Sequence, residues 1–207
     1  MTQRARPASG PRRRSPRGRR PGNPETRTLI LAAARSSFAA AGYAGTTIRA
    51  VATEAGVDPA LVHHYFGTKD DLFLAALDVP VDPREVIGPV AAAGREGAGV
   101  RLMETFLAVW DDPAMQLRLL AVARSALEPE GEKLLTQGFI PVVVRPVLEQ
   151  LCVDRPDERV PLVTSQILGL IIARYVLRVE PLASDPAELV AARVGPTIQR
   201  YLTGDLD

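Results

Sequence analysis

The sequence predicts an all-α chain: a small three-helix head, a larger helical body behind it and a basic arm in front. Three observations lead there. Apolar residues recur at three- and four-residue spacing from Ile30 to Leu202, with no alternating strand pattern and no repeat of about 20–50 residues. Glycine and Asp-Pro signals divide residues 26–72 into short helices. Residues 1–24 hold eight arginines (Arg4, Arg6, Arg12, Arg13, Arg14, Arg17, Arg19, Arg20), five prolines and no acid. With so few apolar side chains that stretch cannot bury enough surface to fold, so it reads as a disordered arm.

The elements follow in order. A first helix is expected from Thr26 or Thr28 to Ala41, with Ile30, Leu31, Ala34 and Phe38 on its buried side and Gly42 stopping it. Thr47 caps the second helix, its hydroxyl closing an orphan backbone N–H. Asp58-Pro59 opens the third: Asp caps, and Pro takes the first helical position, where no N–H is needed. A fourth begins near Lys69-Asp70-Asp71, with acids at the positive end of its dipole, and carries Leu72, Phe73, Ala76 and Leu77. Pro80, Pro83 and Pro89 mark a connecting region, and Gly94, Gly97 and Gly99 a further break. Helical patterns resume at 100–111, 113–127, 130–151 (kinked or split by Pro141 and Pro146), 159–179 and 186–202. The chain divides into an arm (1–24), a head (25–72) and a body (73–207).

Hydrophobic residues make up 46% of the 207 and charged residues 24%, which is ordinary for a globular core. The net charge of +1 hides an asymmetry: beyond the arm, 17 basic side chains face 24 acidic ones. No stretch approaches the ~20 uncharged apolar residues of a membrane span; the longest, Ile167 to Val179, is interrupted by Arg174 and Arg178. The arm lacks the apolar segment of a secretory signal, so a cytoplasmic protein without membrane contact is expected. A single Cys152 cannot form an intrachain disulfide and is expected to be buried.

The chemistry concentrates in Thr46-Thr47-Ile48-Arg49-Ala50-Val51-Ala52 and, after Glu54-Ala55-Gly56-Val57, in Asp58-Pro59-Ala60-Leu61-Val62-His63-His64-Tyr65-Phe66-Gly67-Thr68-Lys69. Two short helices around a glycine turn form the geometry that sets a second helix in the major groove of DNA. Small residues at its start, Pro59, Ala60 and Leu61, let the backbone approach base edges, with thymine methyls as apolar targets. Arg49 and His64 are the polar candidates for a base or a phosphate. Adjacent His63 and His64 point different ways on a helix, and no Cys, Asp or further His completes a metal site, so no metal or other cofactor is expected.

Gly42-Tyr43, Thr46-Thr47, Ala55-Gly56-Val57, Tyr65-Phe66 and Lys69-Asp70-Asp71-Leu72 together resemble the TetR family of bacterial transcriptional regulators, over residues 26–77. Many members carry a Tyr where this chain has His63, and a Ser or Thr where it has Asp58. The resemblance implies that Thr47, His63, Tyr65 and Lys69 grip the sugar–phosphate backbone. It further implies a ligand-responsive repressor that binds a palindromic operator on double-stranded DNA as a homodimer, with an unknown small-molecule effector.

In the body, Leu162, Leu170, Ala173 and Leu177 on one helix and Val190, Val194 and Ile198 on the last are the candidate dimer face, forming a four-helix interface. Met103, Phe106, Trp110, Met115, Leu119 and Phe139 are candidate pocket walls. Arg174 and Tyr175 are polar groups in an apolar helix; Glu104 or Glu149 is the expected partner of Arg174, or an anionic effector. Two other readings compete. One is a sequence-blind architectural protein that binds DNA through its arm. The other is a helical enzyme, for which there is no P-loop, no Gly-x-Ser-x-Gly elbow and no metal-spaced His or Cys set.

Overall fold

The computed structural model describes residues 24–126 and 128–206, so the arm lies outside it apart from Pro24. Among the described residues the structure is helical throughout, without strands. α1 (Pro24–Gly45), α2 (Ile48–Ala55), α3 (Pro59–Phe66) and α4 (Lys69–Leu77) build the head. α1 breaks at Gly42, whose φ of 69° belongs to the left-handed region that glycine enters without cost. Ile30, Ala34, Phe38, Val51, Val62, Leu72 and Phe73 are its buried centre. Phe73 meets Phe38 edge-on at 4.9 Å and Tyr43 at 5.2 Å.

The body comprises α5 (Pro83–Ala92), α6 (Ala98–Trp110), α7 (Pro113–Ser125), α8 (Pro129–Leu134), α9 (Arg145–Leu151), α10 (Pro156–Leu170) and α11 (Ala187–Thr203). Two wide π-helical stretches interrupt it: Leu135–Val144 joins α8 to α9, and Ile171–Val176 extends α10. The prolines expected to mark only a connection instead open and punctuate α5. Asp82 accepts the Arg84 N–H at 2.8 Å, Pro83 occupies the first turn and Pro89 lies inside. The 130–151 pattern is divided as its prolines implied, with Pro141 inside the π stretch and Pro146 in the first turn of α9.

α6 and α11 make the closest helix pair. Gly99 and Gly195 let their backbones touch, and Leu102, Met103, Leu107, Ile198 and Leu202 fill the core around them. Two arginines are buried as staples. Arg159, 2% exposed, donates to Asp154 at 2.7 Å and to the carbonyls of Tyr201 at 2.8 Å and Gly204 at 2.9 Å. Arg174 donates to the Leu182 and Asp185 carbonyls at 2.5 and 2.9 Å and pairs with Asp111 at 3.2 Å. Its partner is therefore neither Glu104, which is exposed, nor Glu149, which pairs with Arg145 at 2.6 Å. An arginine one turn from the end of α10 reaches the loop that follows, which helical spacing alone does not reveal.

Pro156–Val176 is long and apolar enough, by length and composition, to cross a membrane. Of this segment, 39% of the most apolar window is buried, with Val160, Val163 and Leu170 packed in the body. Cys152 is buried too, and desolvation pushes its thiol pKa up, with Arg159 opposing.

Candidate nucleic-acid interface and cavity

Caps position the reading helix. Thr47 accepts the Ala50 N–H at 3.1 Å, which leaves its own hydroxyl hydrogen able to donate outward. Gly56 ends α2 at φ 67°, ψ 32°, and Asp58 starts α3 by accepting the Ala60 N–H at 2.8 Å. α3 is two-sided as a result: Val62 and Phe66 point into the core, while Ala60, Leu61, His63 and His64 are exposed and Pro59 and Tyr65 half-buried. Thr47 and Arg49 are exposed at the start of α2.

The paired threonines do different work. Thr46 is 2% exposed and its hydroxyl faces the carbonyls of Gly42 at 2.8 Å and Ser37 at 3.0 Å, closing the break in α1. The two histidines also diverge. His63 Nδ1 lies 2.8 Å from the Gly67 carbonyl. A carbonyl only accepts, so the ring proton sits on Nδ1 and Nε2 is the remaining edge. His64 instead stands edge-on to Tyr65 at 5.4 Å. Lys69 is half-buried, its ammonium 4.2 Å from the Tyr43 ring centroid, and the Tyr43 hydroxyl donates to Asp70. Burial, then the Asp70 carboxylate, push the Tyr43 pKa up to about 12. Desolvation draws the Lys69 pKa down, with Asp70 opposing.

A cluster that the sequence reading missed joins head to body. Thr68 and Asp71 form a reciprocal capping box, with Thr68 N–H to Asp71 Oδ2 at 3.1 Å and Asp71 N–H to Thr68 Oγ1 at 3.2 Å. Arg84 of α5 reaches the same Asp71 and Asp82, each at 2.6 Å. The Thr68 bond first, and Arg84 after it, hold the Asp71 carboxyl below its usual pKa. The T-x-x-D signature at Thr68 was legible; the Arg84 link, thirteen residues on, was not.

A cavity of about 310 Å³ lies among the end of α4, α5, α6, α7, α10 and both π stretches. Phe106, Trp110, Leu119 and Phe139 line it. Met103 and Met115 do not: Met103 is sealed in the core, and Met115 packs against that core from α7. Arg174 and Tyr175 are also outside the lining, tied to Asp111, to which the Tyr175 hydroxyl donates at 2.9 Å. Burial, then Asp111, raise the Tyr175 pKa. The polar wall residues are Thr105, Ser125 and Thr164, and no charged side chain lines the cavity among the described residues. Leu77, Leu134 and Phe139 line it and also pack on the head core.

Two family models match this chain. Residues 30–76 match the bacterial regulatory proteins of the tetR family, and residues 96–202 match the tetracyclin repressor-like C-terminal domain, which alone is more than half of the sequence. The chain belongs to the TetR family. A TetR-family regulator from Streptomyces coelicolor A3 of known structure is 37% identical, with 89% of this chain and 98% of that one covered and a TM-score of 0.52. Curated relatives match over a shorter stretch. The HTH-type transcriptional regulator BetI of Brucella anthropi is 44% identical over 54 residues, 26% of this chain and 28% of the relative. The HTH-type transcriptional regulator HbdR of Aromatoleum sp. is 39% identical over 70 residues, 31% of each. The chain thus spans under a third of the length of these curated relatives.

As a TetR-family transcriptional regulator, this chain has a helix-turn-helix head whose elements agree with the expected ones. The residues of the expected pairing face divide between the core and the surface. Leu170, Val190 and Ile198 are 5%, 1% and 0% exposed and belong to the chain's own core, so no partner reaches them without unpacking it. Leu162, Ala173 and Val194 are half-buried, and Leu177 is exposed. Outward on the same helices stand Pro161, Ser165 and Gly169 of α10 and Leu189, Ala192 and Pro196 of α11. On each helix the apolar row is shared between the core and the surface.

Proposed function

We propose that this regulator is a ligand-responsive repressor that binds a palindromic operator as a homodimer, catalyses no reaction and acts in the bacterial cytoplasm. Residues 25–72 read DNA and residues 73–207 sense the effector and pair. The two-sided α3 carries this reading. Val62 and Phe66 fix the helix, and its exposed start, Ala60 and Leu61 beside Pro59, is short enough to approach base edges, with His64 one turn on. Arg49 adds a base or phosphate contact, and Thr47, His63, Tyr65 and Lys69 hold the backbone. Residues 25–72 carry four basic and five acidic side chains, so the arm supplies most of the electrostatic attraction.

The test is selection from random duplex DNA followed by footprinting. A palindrome with half-sites about one helical turn (~34 Å) apart supports the reading. Salt-sensitive binding without sequence preference would replace it with the architectural one.

His63 adds an expectation. With Nδ1 turned to the Gly67 carbonyl, Nε2 is the edge left to face DNA. His63→Phe is expected to weaken operator binding, as read by anisotropy at constant ionic strength.

Pairing is assigned to the outward strips of α10 and α11. Space around Gly169 is open, with nothing within 4 Å of an added Cβ, so Gly169→Glu leaves the monomer fold untouched. It is expected to convert a sedimenting dimer into a monomer at micromolar concentration; an unchanged dimer would move the interface elsewhere. Switching follows from the wall residues shared with the head core. A ligand that fits the cavity better in one placement of Leu77 and α4 favours one spacing of the heads.

A further inference from the structure

Taking the cavity as the effector site, we propose that the effector is a neutral, mainly apolar molecule with one hydrogen-bonding group that meets the Thr164 hydroxyl. The volume comes first. About 310 Å³ holds roughly ten water-sized groups at ~30 Å³ each, a small compound.

Charge comes next. The described wall has no cation to receive an anion, and Arg174, the nearest buried guanidinium by sequence, already binds Asp111 and two carbonyls away from the lining. Moving an ionised group into such surroundings without a counter-charge is strongly unfavourable. An anionic effector is therefore disfavoured.

Thr164 supplies the polar contact. It lines the cavity, is 8% exposed, and its Oγ1 is buried with no hydrogen-bond partner. Helical threonines ordinarily donate to the carbonyl four residues back. In this chain Thr28, Thr53, Thr136 and Thr203 do so at 2.8–3.2 Å. Thr164 does not. An unsatisfied buried hydroxyl is costly to keep, and a ligand that pairs with it recovers that cost. Because Cβ of threonine carries both the hydroxyl and a methyl, one χ1 step exchanges which of them the cavity meets. Ser125, by contrast, spends its hydroxyl on the Val122 carbonyl.

The chain's single tryptophan, Trp110, lines the cavity and reports on its occupancy by fluorescence. The full-length protein, Thr164→Val and Thr164→Ser are titrated with 1-octanol, octanoate and ethylbenzene. Octanol is expected to bind the wild type far more tightly than octanoate. Thr164→Val should weaken octanol by about threefold to tenfold and leave ethylbenzene unchanged, whereas Thr164→Ser keeps octanol binding. Thermal melting of Thr164→Val should be no lower than wild type, because the hydroxyl it removes has no partner.

Equal binding of octanoate and octanol would overturn the proposal, as would octanol affinity insensitive to Thr164→Val, or no Trp110 response to either neutral compound. The same titrations with the selected operator duplex separate the ligand class from the switch. Octanol binding that leaves DNA bound supports the class and counts against effector-driven release.

Discussion

Gly99→Ala is expected to lower the unfolding midpoint by about 4–8 °C, a net loss of about 2 kcal/mol. Two terms oppose each other. Alanine is favoured over glycine inside a helix by about 1 kcal/mol. Against that, a Cβ at Gly99 would stand 2.5 Å from Gln199 N and 2.9 Å from Gln199 Cα, with the Gly195 carbonyl oxygen nearer still. These atoms are backbone, so no rotamer change relieves the clash; α6 and α11 must move apart, which costs about 3 kcal/mol as overpacking. Calorimetry of the variant checks this, and an unchanged or raised midpoint would refute helix contact as the cause.

Gly138→Ala should act on the junction of head and body. Its Cβ would meet Phe73 Cε1 at 3.1 Å and Cε2 at 3.2 Å, with Cζ closer than either. A flexible side chain would swing aside, but Phe73 is 0% exposed and held between the Phe38 and Tyr43 rings. The strain therefore passes to α4 and the π stretch. A loss of about 1–3 kcal/mol is expected, together with weaker operator binding. Phe73→Leu, which vacates the contested space, should rescue part of it. The double-mutant cycle should then show coupling of at least ~0.5 kcal/mol, and additivity would argue that the two residues do not share the contact.

Much of the head was readable because local chemistry sets it. Thr47, Gly56 and Asp58-Pro59 each fix a helix end through atoms within a few residues, so spacing alone locates them. The body was legible as helices and not as surfaces. Met103 and Phe106 share one apolar periodicity, yet one is sealed in the core and the other lines the cavity. Which side an apolar residue takes depends on neighbours remote in sequence, and periodicity does not contain them. Val190 and Ile198 likewise share a periodicity with Val194, yet they fill the chain's own core while Val194 is half-buried. α5 was hidden by its prolines, which signal a helix start as readily as a break. The π stretches follow from register, which composition does not report.

The Arg84 clamp bears on how a salt titration would be interpreted. The slope of log affinity against log salt is ordinarily read as a count of phosphates neutralised. Here added ions would also screen Arg84 from Asp71, since both side chains are more than a third exposed. Operator binding would then lose counterion release and head alignment together as salt rises. The apparent phosphate count would exceed the true one, and the excess would vanish in a variant without Arg84.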